Sequence, residues 1–240
     1  MKILVAGASG VVGQGLCRLL VADGHSVSGT TRSADKASLL EALGVTPLVV
    51  DVFEAGALAD AVMRAGPEVV IHQLTDLPDG LDSARMAAAR VRNNRIRDEG
   101  TRNLIAAAVA AGAKRLIAQS IAFAYAPGPL PHDEAASLDP AATGVISLET
   151  QVLNAPMTGV VLRYGRFYGP GTGFDASPPG GPLHVDAAAD AARRAVTRGA
   201  GVYNVAEDDG TLVTARAVAE LGFDPAFRAG RFSDEQSALK

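Results

Sequence analysis

Short apolar runs and longer helix-patterned stretches take turns along this chain. Runs rich in Val, Ile, Leu and Thr fall at 2–6, 26–30, 47–50, 68–73, 115–119, 159–163 and near 201–204. Between them lie Ala-, Leu- and Arg-rich stretches at about 11–23, 34–43, 55–65, 82–111, 145–153, 186–198 and 211–221. The strand-like runs are continuously apolar, as expected of strands covered on both faces. The alternation predicts an α/β fold, with parallel strands, right-handed helical crossovers and helices on both sides. Two segments break the rhythm: 124–143 is proline-rich, and 169–182 is richer still in Pro and Gly. Both begin shortly after strand ends, at 119 and 163. In an open α/β sheet the ligand crevice lies beyond the carboxyl ends of the strands, so both are expected to wall a site. Plain surface loops are the alternative. The polar residues from about 230 to 240 are expected to fray.

The most specific signal is at the first strand–helix junction, where Lys2-Ile3-Leu4-Val5-Ala6 runs into Gly7-Ala8-Ser9-Gly10-Val11-Val12-Gly13. Gly7 permits a tight turn, Gly10 lets a pyrophosphate approach the backbone, and Gly13 lets the helix pack close to the strand. Ser9, Val11 and Val12 line the same turn. Free N–H groups and the helix dipole favour negative charge there. A glycine triplet alone is weak; placed between a strand and a helix it predicts dinucleotide binding.

Composition narrows the classes. A chain of 240 residues fits one large domain, or a domain with a small appendage. A net charge of −4 argues against a nucleic-acid partner. No uninterrupted apolar run reaches about 18 residues, so no membrane span is expected. Cys17 is the sole cysteine, which excludes a disulfide framework or thiolate cluster. No spacing matches a metal site. These features predict a cytoplasmic protein.

Several motifs then occur in order. They are the glycine loop, Asp51-Val52, His72-Gln73-Leu74, Gly100-Thr101-Arg102-Asn103-Leu104, Ala111-Gly112-Ala113-Lys114-Arg115, Leu162-Arg163-Tyr164 through Tyr168-Gly169-Pro170, His184-Val185-Asp186 and Tyr203-Asn204-Val205. Over roughly residues 1–225 the chain resembles the extended short-chain dehydrogenase/reductases, the NAD(P)-dependent epimerase/dehydratase group. The resemblance implies a Rossmann-like doubly wound parallel sheet: a dinucleotide-binding domain over 1–165 and a short substrate lobe over 166–240, interleaved with the last strand and helices. It places Asp51 and Val52 at the adenine, and Gln73, Leu74, Ser120 and Tyr164 along the cofactor.

The departures matter as much. The family's Tyr-x-x-x-Lys is absent: the residues four positions after Tyr125, Tyr164, Tyr168 and Tyr203 are Pro129, Tyr168, Thr172 and Glu207. The helix expected to hold it reads Thr143-Gly144-Val145-Ile146-Ser147-Leu148-Glu149. The chain therefore resembles an atypical member of that group. Only thirteen residues, Gly171 to Leu183, separate the Tyr-Gly-Pro and His-Val-Asp segments, so the substrate lobe is small and a bulky nucleotide-sugar is disfavoured.

After the second strand stand Thr31 and Arg32, where an NAD enzyme carries an acid for the ribose hydroxyl. Arg32 can pair with a 2′-phosphate, so NADP(H) is the expected cofactor and NAD(H) the alternative. Ser120, Tyr125 and His132 are the candidate acid/base residues, because hydride transfer to a carbonyl needs a donor for the developing alkoxide. Phe123, Arg163, Arg166 and Tyr168 are the candidate substrate contacts. Glu149, His25 and His184 read as structural. The arginines from 85 to 102 mark either a homodimer face, as the resemblance implies, or a solvated face. Two functions fit: an NADP(H)-dependent oxidoreductase or epimerase-like enzyme for a small carbonyl or hydroxyl compound, or a non-catalytic NADP(H)-binding redox sensor.

Overall fold

The computed structural model describes residues 1–78 and 82–230; most of the tail expected to fray, 231–240, lies outside them. The strands are β1 (Lys2–Ala6), β2 (Ser26–Thr31), β3 (Thr46–Val49), β4 (Val69–His72), β5 (Arg115–Ile121), β6 (Thr158–Tyr164), β7 (Arg166–Tyr168), β8 (Pro182–His184) and β9 (Gly201–Val205). The helices are α1 (Val11–Ala22), α2 (Ala37–Ala42), α3 (Ala55–Ala65), α4 (Ser83–Arg95), α5 (Thr101–Ala110), α6 (Thr143–Leu153) and α7 (Val185–Ala195). A seven-stranded parallel sheet runs β3-β2-β1-β4-β5-β6-β9. The order reverses at β1, so the crevice between the ends of β1 and β4 is the switch point where such sheets bind ligands.

Each sheet face buries its own core. Leu16 and Leu20 of α1 pack with Ala188, Ala191 and Ala192 of α7 under Val5, Ile71 and Leu162. Leu58 and Val62 of α3, Leu104 of α5, and Leu148 and Val152 of α6 cover Leu4, Val70 and Leu116 on the other side. This two-sided cover explains the continuous apolar strands. Cys17 is fully buried in the first core, and burial pushes its thiol up to about 12.

Three features differ from expectation. The stretch 82–111 is not one regular helix: α4 passes into α5 through a π-helical turn, Ile96–Gly100. The wider turn meets α6, whose Gln151 donates to the Asp98 carbonyl at 3.1 Å and whose Ser147 donates to the Asp98 carboxylate at 2.7 Å. Side chains of a neighbouring helix thus bond the distorted turn. The stretch 211–221 is helical only from residue 215, and most of that is a π-helical segment, Ala217–Leu221. The Pro/Gly segment links β7 to β8, which pair in parallel as a two-stranded sheet; three-residue strands leave no readable pattern.

Candidate functional site

The glycine turn is shaped to receive an anion. Gly7 has φ +88°, and a side chain there would meet the Gln73 carbonyl oxygen at 2.7 Å. A side chain at Gly13 would be driven into the Gly7 carbonyl. Gly10 differs: an added Cβ would meet only the Gly7 oxygen, at 3.4 Å, and otherwise open space. No side chain caps α1, and its first turn carries no acid. Its N-terminal N–H groups therefore face that space without a competing carboxylate. The backbone of Gln73 abuts Gly7, and its buried side-chain Oε1 has no partner among the described residues. An uncapped helix end and open space over Gly10 fit a dinucleotide pyrophosphate, while the Gln73 amide oxygen, an acceptor, suits an N–H or O–H donor of a bound ligand.

The flanking residues are ordered around this turn. Thr31 Oγ1 accepts from Ser9 Oγ at 3.3 Å. Arg32 and Arg92 of α4 both turn to Asp76, at 3.5 and 2.9 Å. Asn93 holds the Asp76 segment, accepting from its N–H at 3.0 Å and donating to its carbonyl at 3.1 Å. Asp51 caps its own turn by accepting from Phe53 N–H at 2.9 Å, while Val52 is buried and its carbonyl accepts from Asn103 at 3.0 Å. Val12 is buried, Val11 is exposed, and Leu74 packs at the edge of the second core. Tyr164, expected beside the cofactor, is wholly buried and donates its hydroxyl to the Ala188 carbonyl at 3.0 Å.

His72 sits at the end of β4. Its Nδ1 accepts from Leu74 N–H at 3.3 Å, so Nε2 carries the proton and faces Thr101 Oγ1 at 3.2 Å. Burial, reinforced by the charge of Arg97, lowers its pKa from 6.5 to about 4. The folded state thus binds fewer protons than the unfolded chain below pH 6.5. The stabilisation is complete above pH 6.5 and lost as pH falls towards 4. The unfolding free energy from denaturant titration should fall between pH 6.5 and 5, above the ordinary carboxylate range, by up to about 1.4 kcal/mol per pH unit, and His72→Gln should flatten that slope.

The second half of the site is a buried polar row. Strand register pairs Ser120 of β5 with Arg163 of β6, and Arg163 with Asn204 of β9. Glu149 of α6 joins the row: it pairs with Arg163 Nη2 at 2.7 Å and accepts from Ser120 Oγ at 2.6 Å. Tyr125 donates to Asn204 Oδ1 at 2.6 Å and accepts from Arg163 Nη1 at 2.9 Å. Glu134 accepts from Asn204 N–H at 2.9 Å. Burial raises the Tyr125 pKa and outweighs the nearby guanidinium, so the phenol holds its proton. Arg163, expected to reach substrate, turns inward instead, because a buried guanidinium needs a carboxylate. Of the three candidate acid/base residues, the His132 ring stacks on Tyr125, centroids 4.9 Å apart, while Ser120 joins them only through Glu149 and Arg163.

Phe123, Arg166 and Tyr168 lie just before the two irregular segments. Phe123 follows β5 and is 48% exposed, with the Arg166 guanidinium 4.8 Å from its ring centroid. Tyr168 donates to Glu207 at 2.7 Å and accepts from Arg228 at 2.8 Å. Asn204, Glu134, Glu207 and Arg228 were not anticipated; their links to the site cross long sequence separations. His184 caps α7, its Nδ1 accepting from Asp186 N–H at 3.2 Å. Of the arginine-rich helix, Arg95 pairs with Glu99 and Arg102 with Asp98, each one turn apart. Among the described residues no helix is long and apolar enough to cross a membrane.

Residues 7–198 match the family described as NAD(P)H-binding. The chain belongs to this NAD(P)H-binding family. Its sequence lacks the Tyr-x-x-x-Lys that the resemblance leads one to expect. A 3-diazoavenalumate denitrifying reductase from Streptomyces sp is 43% identical over 239 residues, covering 87% of this chain and 77% of that protein. The UDP-glucose 4-epimerase of Thermotoga maritima, solved with UDP-glucose, superposes with a TM-score of 0.78 at 16% identity, covering 95% and 94% of the two chains. The NAD complex of the Thermus thermophilus UDP-glucose 4-epimerase gives 0.77 at 19% identity, covering 95% of each chain. These two structures share the fold with this NAD(P)H-binding protein.

Proposed function

We propose that this protein is an NADPH-dependent reductase of a small diazo-bearing compound. One observation carries the reading: α6, the helix expected to supply the Tyr-Lys pair, supplies Glu149 bound to Arg163, and the nearby hydroxyl protons already have acceptors. Ser120 donates to Glu149 and Tyr125 to Asn204. Such a site suits an electrophile that needs no proton from the protein. The relative named as a denitrifying reductase of a diazo compound fits that requirement.

The bound cofactor supplies a hydride. With an arene diazonium as acceptor, a bound NADPH would supply the hydride whose electron pair makes the new C–H bond, the C–N pair would leave with dinitrogen, and no proton would be needed from the protein. The chain's part is to bind and orient. The α1 turn would hold the pyrophosphate, and the buried row Ser120-Arg163-Asn204 fixes the ends of β5, β6 and β9. Product analysis with [4-²H]NADPH should find dinitrogen and deuterium on the ring carbon. Absence of turnover with diazonium compounds would overturn the reading. Ser120→Ala and Tyr125→Phe should each retain turnover within about tenfold, against the ~10²–10⁴ loss expected for a general acid. A loss of that size would support a second reading, reduction of a carbonyl with Tyr125 as acid, with His132 stacked behind it. The 2.9 Å hydrogen bond from Arg163 favours that role.

NADPH preference is proposed on Arg32. Its pairing with Asp76 is solvent-exposed and weak, so a 2′-phosphate can replace the carboxylate. One charge-assisted contact corresponds to roughly 10- to 100-fold in affinity. Titration calorimetry should show NADPH binding more tightly than NADH by that ratio, and Arg32→Ala should erase it. Equal affinities in the native protein would refute the preference.

A further inference from the structure

Phe123 and Arg166 stand at the mouth formed by the ends of β5 and β6. The other arginines of this mouth and row have carboxylates: Arg163 holds Glu149 at 2.7 Å and Arg228 holds Glu207 at 3.0 Å. Arg166 forms no ion pair among the described residues; its guanidinium lies over the exposed Phe123 ring. Its backbone is fixed, the N–H donating to the Gly181 carbonyl at 2.8 Å. Gly180 and Gly181 are in turn anchored by N–H bonds to Asp209, both at 2.9 Å. A side chain at Gly180 would come within 3.3 Å of Arg166 Nε, so glycine there leaves room around the guanidinium. The result is a half-exposed aromatic face and an unpaired planar cation on anchored backbone, beside the Ser120 row.

We propose that Phe123 and Arg166 form the substrate's recognition subsite, and that the substrate is an aromatic carboxylate. The aryl plane packs on Phe123 and the carboxylate takes the guanidinium fork, the geometry that arginine offers and lysine does not. A single negative charge is indicated: one arginine is free, and the adjoining loop already carries Asp208 and Asp209, which would disfavour a phosphate dianion. The proposal rests on the reading of this edge as the place where the hydride acceptor lies.

The test uses unreactive probes, cinnamate and cinnamamide, titrated calorimetrically into the NADP⁺-saturated protein. Cinnamate should bind more tightly than its amide. Arg166→Ala should weaken cinnamate by roughly 10- to 100-fold and leave the amide unchanged. Arg166→Lys should recover only part of the loss, and Phe123→Ala should weaken both probes. Unchanged thermal melts would establish that the variants fold. Equal binding of acid and amide, no binding of either, or no effect of Arg166→Ala would overturn the subsite. Arg166-dependent cinnamate binding without reduction of any diazonium compound would uphold the subsite and reject the reductase reading. Diazonium reduction with the same KM for acid and amide in native and Arg166→Ala proteins would do the reverse.

Discussion

Glu149→Ala is expected to destabilise the fold by about 3–5 kcal/mol, the cost of leaving a buried charge without its partner. Arg163 stays buried in β6 between β5 and β9. Its remaining bonds, to the Tyr125 hydroxyl at 2.9 Å and the Glu134 carbonyl at 3.3 Å, are to neutral groups. Ser120 loses its acceptor in the same step. A domain is typically stable by only about 5–15 kcal/mol, so the variant should unfold at a far lower denaturant concentration. The double replacement Glu149→Leu with Arg163→Met separates charge from packing. Apolar residues of similar volume often replace a buried pair without loss, so the double variant should recover most of the stability while losing the hold on Tyr125. Should Glu149→Ala cost less than about 1 kcal/mol, water must reach Arg163, and the row is not the dry scaffold described here.

Much of this architecture was readable before any coordinates. Parallel strands under two layers of helix must be continuously apolar, so β1, β4, β5 and β6 stood out, and the glycine turn was visible because each glycine answers a separate steric need. The buried row was not. Ser120, Arg163 and Asn204 are far apart in sequence and become neighbours only through strand register. Arg163 therefore looked like a free cation for substrate, and nothing in its local sequence names Glu149 as its partner. Glu149 was read as structural, without the partner that makes it so. The Arg32–Asp76–Arg92 cluster was hidden for the same reason, since it joins the end of β2 to the segment after β4 and to α4. The π-helical turn left no trace because its residues would also suit a regular helix; what holds it open comes from α6.

Gly10→Val should abolish dinucleotide binding in a protein that still folds. The backbone at Gly10 has φ −76°, which any residue adopts, and the nearest atom to an added Cβ is 3.4 Å away. The native fold therefore has little reason to reject the side chain. A ligand does: isopropyl groups over the first turn of α1 would occupy the space that its N–H groups face and hold phosphate oxygens away from them. NADPH affinity should fall by at least ~100-fold, about 2.7 kcal/mol, with an unchanged circular-dichroism melt in the absence of cofactor. Gly13→Val is the contrasting case. Its Cβ would run into the Gly7 carbonyl and the Ala8 backbone, so α1 could not seat against β1, and the melt itself should drop. If Gly10→Val melts normally and binds NADPH as the native protein does, the pyrophosphate does not lie over this turn, and the cofactor site must be sought elsewhere along the crevice.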